Sequence, residues 1–148
     1  MPALILHLSD LHIRGEQDSI LQKRRHISST LNASLPNTSA VVIAVSGDIS
    51  QSGQVEEYDV AHRFLTNLVE DIKNEKDIPI EVVLTPGNHD CDLSGNLAVR
   101  TAVLKDVKNH IGNMPSQLIE ETTRVQSNFL DFKRKLISAN SLILDDPL

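Results

Sequence analysis

Three short apolar segments rich in β-branched residues most constrain what this chain can fold into. They are Leu4–Leu8, Ala40–Val45 and Ile80–Leu84, each of strand length. The second, Ala40-Val41-Val42-Ile43-Ala44-Val45, contains no polar residue. A run without alternation reads as a strand covered on both faces, as in a parallel sheet. Helical patterns lie between the three. From Gln54 to about Asn74, the residues Tyr58, Ala61, Leu65, Leu68 and Ile72 recur at steps of three and four, which sets them on one face. A weaker pattern spans Ser19 to Leu35 through Ile20, Ile27 and Leu31, and Pro36-Asn37 ends it. Strand, helix, strand, helix, strand predicts right-handed βαβ crossovers onto a mainly parallel sheet, an α/β fold.

Beyond Asp92 the character changes. Ser94 is placed to cap a helix running to about Ile111, and Gly112–Pro115 reads as a break. Ser116 to about Ala139 reads as one helix, with Leu118, Val125, Phe129, Phe132 and Leu136 along a stripe that is either core or a docking face. Leu142-Ile143-Leu144 has the look of a fourth strand, cut off by Asp145-Asp146-Pro147. The expectation is one domain over residues 1–148, with a βαβαβ core at 1–92 and a helical extension at 93–148.

Composition narrows the function. A chain of 148 residues with 40% hydrophobic side chains suits one globular domain. Twenty acids against 14 bases give a net charge of −6, which exerts no general pull on nucleic acid. Three Phe, one Tyr and no Trp are too few for a base-stacking platform. The single cysteine, Cys91, excludes an internal disulfide and a multi-cysteine zinc site. Met1–Leu8 lacks a basic leader region, and its apolar run is interrupted at His7. Ala40–Val45 is far too short to span a bilayer. These features read as a cytoplasmic chain with no membrane partner.

The chemistry sits where each strand ends. Ser9-Asp10-Leu11-His12 follows the first, Ser46-Gly47-Asp48 the second, and Pro86-Gly87-Asn88-His89-Asp90 the third. Open α/β sheets bind ligands at the carboxyl ends of their strands. Asp, His and Asn side chains suit Mn²⁺, Fe, Zn²⁺ or Co²⁺ better than a calcium cage or a thiolate site. The Asp10-x-His12 spacing lets two alternate side chains reach one ion from the same side. Asp48 has two oxygens and can bridge two ions, while Asn88 offers a neutral oxygen to the second. Two divalent ions about 3.5–4 Å apart can activate a water and clamp a phosphoryl group. His89 is the natural proton donor or oxyanion stabiliser, and Asp90 is placed to accept from its ring N–H and fix its tautomer.

Plainer readings compete. An isolated Asp-x-His is common, a Gly-Asp after a strand is often only a turn, and Asn-His-Asp can cap a helix. His7 reads as structural, and His26, His62 and His110 as solvated helix residues. Lys23-Arg24-Arg25 reads as an exposed helix face, with phosphate contact as the alternative. Arg14 is solvated in a turn or touches an anionic substrate. Cys91 adjoins the site without a catalytic role.

In this order the clusters resemble the calcineurin-like metallophosphoesterase superfamily, over about Leu4 to Asp92. Its pattern is Asp-x-His, Gly-Asp, Gly-Asn-His-Asp/Glu and two later histidine motifs. The stretch Ser46-Gly47-Asp48-Ile49-Ser50-Gln51-Ser52-Gly53, followed by Glu56-Glu57-Tyr58, is most similar to the cyclic-nucleotide phosphodiesterase branch. The resemblance implies a four-layer sandwich of two sheets flanked by helices. It also implies two divalent metals (Mn, Fe or Zn), with Asp10 and His12 on the first, Asp48 bridging, Asn88 on the second and His89 assisting catalysis. The implied activity is hydrolysis of phosphate esters, phosphodiesters foremost, by metal-activated water on a small-molecule or nucleotide substrate. The superfamily's later His and Gly-His-x-His supply three further ligands, yet no histidine follows His110 in this chain. The expectation is therefore a partial sandwich with its second sheet largely missing. Activity of the chain alone is expected to be weak or nil unless a downstream domain or partner completes the ligand set. The alternatives are a non-catalytic metal- or phosphate-binding module, and a nuclease of the same superfamily.

Overall fold

The computed structural model describes residues 2–95, 97–106 and 115–139. Three parallel strands, β1 (Ala3–Leu8), β2 (Ala40–Ser46) and β3 (Ile80–Thr85), form one sheet in the order β1-β2-β3. Leu4 pairs with Val41 and Leu8 with Val45, while Val41 also pairs with Ile80 and Val45 with Leu84. This register brings the carboxyl ends of all three strands level, so the loops that follow them emerge together.

The crossovers are helical. Between β1 and β2 lie α1 (Ser19–Gln22), α2 (Arg24–Thr30) and a 3₁₀ turn, Leu35–Asn37. The expected single helix from Ser19 is thus divided. Its end is set by hydroxyls that turn back on their own backbone: Ser28, Ser29 and Thr30 donate to the carbonyls of Arg25, His26 and Ile27 at 3.0, 2.8 and 2.6 Å. Between β2 and β3 runs α3 (Val55–Glu75), with Gln54 as its N-cap, close to the expected span. Glu57 is buried in its first turn and accepts from Ser52 N–H (2.8 Å), Ser52 hydroxyl (2.9 Å) and Gln54 N–H (3.3 Å). At its far end, Lys76 Nζ donates to the carbonyls of Leu35, Pro36 and Thr38 at 2.8–3.0 Å, which ties the approach to β2 onto α3.

All five apolar residues expected on the inner face of α3 are buried, and Val60, Phe64 and Val69 join them. They form one cluster with Val41, Ile43 and Val45 of β2 and Ile80, Val82 and Leu84 of β3. The opposite sheet face is open among the described residues: Ile5 is 68% and Val83 44% exposed. Among the described residues β2 is covered on one face, where the expectation was cover on both. Its continuous apolar run arises because its outward residues, Ala40, Val42 and Ala44, stay half-buried between two neighbouring strands.

The later residues form α4 (Ala98–Asp106), α5 (Ser116–Thr123), a 3₁₀ turn Arg124–Gln126 and α6 (Ser127–Ala139). The helix expected from Ser116 to Ala139 is broken at that turn, because the Val125 carbonyl turns aside to accept Asp92 N–H at 2.7 Å. Phe129, Phe132 and Leu136 are buried core, with Phe132 stacked on Tyr58 at 5.0 Å, whereas Leu118 lies at the surface. The fourth strand at 142–144, His110 and the break at 112–114 lie outside the described residues.

The one-sided core makes a prediction. Leu68→Ala removes a fully buried side chain and should lower stability by about 3 kcal/mol. Ile5→Thr, on the open face, should change it by no more than about 0.5 kcal/mol. Urea unfolding of both variants measures the contrast, and equal losses would contradict the one-sided assignment.

Candidate metal centre

The three polar clusters meet because the sheet's hydrogen-bond ladder continues past its strands. Gly47 N–H donates to the Thr85 carbonyl (3.0 Å), and Asp10 N–H to that of Gly47 (3.3 Å). His12 and Ile13 N–H donate to the carbonyls of Asp48 and Ile49 at 2.9 and 3.0 Å, and Gln51 N–H returns to Ile13 at 3.1 Å. The loop after β1 therefore runs beside the loop after β2 as an extra length of parallel pairing.

That path requires unusual backbone. Asp10, His12 and Asp48 have φ of 53°, 46° and 52°, and they are the only non-glycine residues with positive φ among those described. Each such conformation costs on the order of 1–3 kcal/mol and persists only where the surroundings impose it. All three belong to the expected ligand set. Two glycines let the second and third loops touch. Gly47, at φ 83°, lies so close to Gly87 that an added β-carbon would sit 3.1 Å from the Gly87 α-carbon. A β-carbon on Gly87 would overlap the Asp48 carboxylate and lie 2.5 Å from the Asp48 nitrogen.

Within this frame, donor atoms of His12, Asp48 and His89 all lie within 4.8 Å of one another. The His89 backbone N–H donates to Asp48 Oδ1 at 2.9 Å. Its ring donates from Nδ1 to the Gln51 carbonyl at 2.8 Å. A carbonyl only accepts, so Nδ1 carries the proton and the neutral ring keeps a lone pair on Nε2. The rings of His12 and His89 meet edge to face, with centroids 4.7 Å apart and planes at 89°. His12 Nδ1 is buried and has no hydrogen-bond partner. A buried imidazole nitrogen left unpaired beside a carboxylate and a second imidazole is what a cation site requires, so the donor set fits a divalent metal. Asp10 stands on the rim, mostly exposed, with Oδ1 3.9 Å from His12 Nε2. Asn88 is exposed in the third loop, beside His89. Cys91 faces elsewhere, its Sγ 4.0 Å from Gln126 Nε2.

Asp90 departs from expectation. It makes no hydrogen bond to the His89 ring, whose Nδ1 is taken by Gln51. Its carboxylate is fully buried instead, and five donors converge on it: the N–H groups of Ile49 (3.2 Å), Ser50 (3.0 Å) and Gly87 (2.8 Å), and the hydroxyls of Ser50 and Tyr58 (3.0 Å each). Three of these come from the loop after β2, one from the third loop and one from α3. Asp90 thus staples the two loops together beneath the cluster. Burial, reinforced by the adjacent Asp90 charge, pushes the Tyr58 phenol far above its ordinary value, so it stays a donor. Next along the chain, the Ser94 hydroxyl and N–H hold the Asp92 carboxyl below its ordinary value.

Gln51, Ser50 and Tyr58 are supporting residues to which the sequence reading assigned no role in the site, although all three stand in the stretch that carries the phosphodiesterase resemblance. Their signal was faint. Ser50 and Gln51 directly follow the Gly-Asp turn, and Tyr58 looked like any core residue of α3. Arg14 donates from Nε to Gln51 Oε1 at 3.2 Å, so it borders the site through Gln51. His7 lies on the open sheet face, its Nε2 2.6 Å from Ser46 Oγ.

A family model described as calcineurin-like phosphoesterase matches residues 3–142. The chain belongs to the calcineurin-like phosphoesterase family. The match continues well past Asp92, where the sequence resemblance ended, and so takes in the helices that pack on α3. No curated protein matches the chain. Calcineurin-like phosphoesterases are divalent-metal-dependent hydrolases of phosphate esters, and the His12–Asp48–His89 group is compatible with that chemistry.

Two predictions test this construction. Asp90→Asn places an amide N–H₂ among five donors and should cost about 3 kcal/mol of stability, whereas Tyr58→Phe removes one donor and should cost about 1 kcal/mol. Chemical denaturation of the two variants gives the ranking, and a reversed order would speak against Asp90 as the staple. Gly87→Ala should weaken Mn²⁺ binding by about tenfold or more, because its methyl displaces Asp48 from the cluster. Titration calorimetry on the folded variant reads this directly, and unchanged affinity would remove Asp48 from the ligand set.

Proposed function

We propose that the three loops hold two divalent ions and that the site hydrolyses phosphate esters, phosphodiesters foremost. One observation carries the reading. His12, Asp48 and His89, from three loops far apart in sequence, have donor atoms within 4.8 Å, and a His12 nitrogen beside them is buried and unpaired. In the assignment we favour, Asp10 and His12 hold the first ion, Asp48 reaches both, and Asn88 holds the second. When bound, such ions supply a lowered pKa for attacking water and charge neutralisation at the phosphoryl oxygens. Mn, Fe and Zn all suit the nitrogen and oxygen donors.

The chain's own residues orient the reaction. Gln51 fixes the His89 ring through Nδ1, which leaves Nε2 as the atom that presents a proton to the leaving oxygen when the ring is protonated. Asp48 Oδ1 receives the His89 N–H, which couples the position of the bridging carboxylate to that of the acid. Asp90 acts beneath them as a positioning residue. The preference for diesters rests on the likeness of Ser46–Gly53 to the cyclic-nucleotide phosphodiesterase branch. Further histidine ligands would come from a downstream domain or a partner, and a reducing, cytoplasmic setting suits a chain with one cysteine. A non-catalytic metal- or phosphate-binding role is the competing outcome of the test.

The experiment combines Mn²⁺ titration with hydrolysis of bis(p-nitrophenyl) phosphate. Saturable Mn²⁺ binding should weaken by about tenfold or more in Asp48→Asn. Any Mn²⁺-dependent turnover should fall by about a hundredfold in His89→Ala. Metal binding without turnover favours the non-catalytic role, and turnover indifferent to both substitutions rejects the site.

A further inference from the structure

We propose that a groove between α1–α2 and α3, distinct from the metal cluster, binds an organic phosphate of nucleoside-monophosphate size. The groove encloses about 450 Å³ and shares no residue with the cluster. Three of the chain's seven arginines line it, on a protein whose net charge is −6. Arg24 and Arg25 come from α2, and Arg63 from α3. The one carboxylate lining it is Glu16.

Two of the three guanidinium groups, Arg25 and Arg63, are exposed. Arg25 forms no ion pair among the described residues. Arg24 Nε pairs with Asp71 Oδ2 at 3.0 Å, with both side chains largely buried, so its charge is met within the chain and the phosphate contact falls to Arg25 and Arg63. Arg63 pairs with Glu16 at the rim, where the two side chains are 54% and 66% exposed. Exposed pairs of this kind contribute little and exchange readily, so a phosphate can take the place of Glu16. Planar guanidinium forks match the oxygens of a phosphate monoester, and a dianion answers the net positive lining.

The walls argue for more than inorganic phosphate. Phe64 and Val60 of α3 form an apolar floor, with Leu21 opposite. Gln22 and Asn67 add amides suited to the edge of a heterocycle. The volume falls within the roughly 300–1,000 Å³ of small-molecule sites and exceeds what a bare anion fills. Guanidinium groups on both walls, with the apolar residues and amides between them, suit a phosphate carrying a ring. The site does not depend on the hydrolytic reading.

Titration calorimetry with adenosine monophosphate and with inorganic phosphate, in buffer containing EDTA, tests this. Saturable binding of the nucleotide should persist in EDTA and in Asp48→Asn, which separates it from the metal cluster. It should weaken by about tenfold or more in Arg25→Ala and in Arg63→Ala, each the loss of one charged donor group. Circular dichroism confirms that both variants are folded, and their exposed positions favour it. The proposal fails if no saturable binding occurs up to millimolar nucleotide, if binding disappears in EDTA or Asp48→Asn, or if neither arginine variant weakens it. Inorganic phosphate binding as tightly as the nucleotide overturns the part assigned to the apolar floor.

Discussion

The buried carboxylate of Asp90 is the interaction on which the rest of the site depends. A charge removed from water must be met by donors, and here five converge on it from two loops and a helix. No cation is needed, because backbone N–H groups and two hydroxyls supply the compensation. The consequence is geometric. The loop after β2 and the loop after β3 cannot move independently without stripping a buried charge of its partners. His89 adjoins Asp90 in sequence, and its N–H reaches Asp48, so a staple below fixes the proposed ligand and the proposed acid above it.

Strain complements the staple. Asp10, His12 and Asp48 hold left-handed backbone that none would choose alone, and the extended ladder between the first two loops imposes it. The Gly47–Gly87 contact then brings the third loop against Asp48, closer than any side chain would permit. The ladder and the glycine contact thus fix the backbone from which the side chains of the candidate site extend.

The later helices belong to this arrangement as well. α6 packs Phe129 and Phe132 around Tyr58, whose hydroxyl is one of the five donors to Asp90. Asn128 donates to the Gly53 carbonyl at 2.8 Å, and Val125 receives Asp92 N–H. Aromatic packing on α3 is therefore linked, through one phenol and two backbone contacts, to the loops that carry the proposed ligands. This accounts for a family match that runs through the helical segment rather than stopping at the last polar cluster.

The strands, their parallel order and the inner face of α3 were legible in the chain because periodicity and apolar runs are local properties. The polar clusters were legible for the same reason, each being a few contiguous residues at a strand's end. Asp90 was misread as the partner of its neighbour's ring, since adjacency in sequence says nothing of which way a carboxylate turns. The long helix expected from Ser116 broke where a carbonyl found a partner more than thirty positions earlier, at Asp92. By itself the sequence determined which residues could bind a cation and which ends of the sheet would carry them. Only the tertiary structure decided that His12, Asp48 and His89 would meet, that Gln51 would orient His89, and that Asp90 would lie beneath them. Those outcomes depend on hydrogen bonds between residues some forty positions apart, which no local pattern encodes.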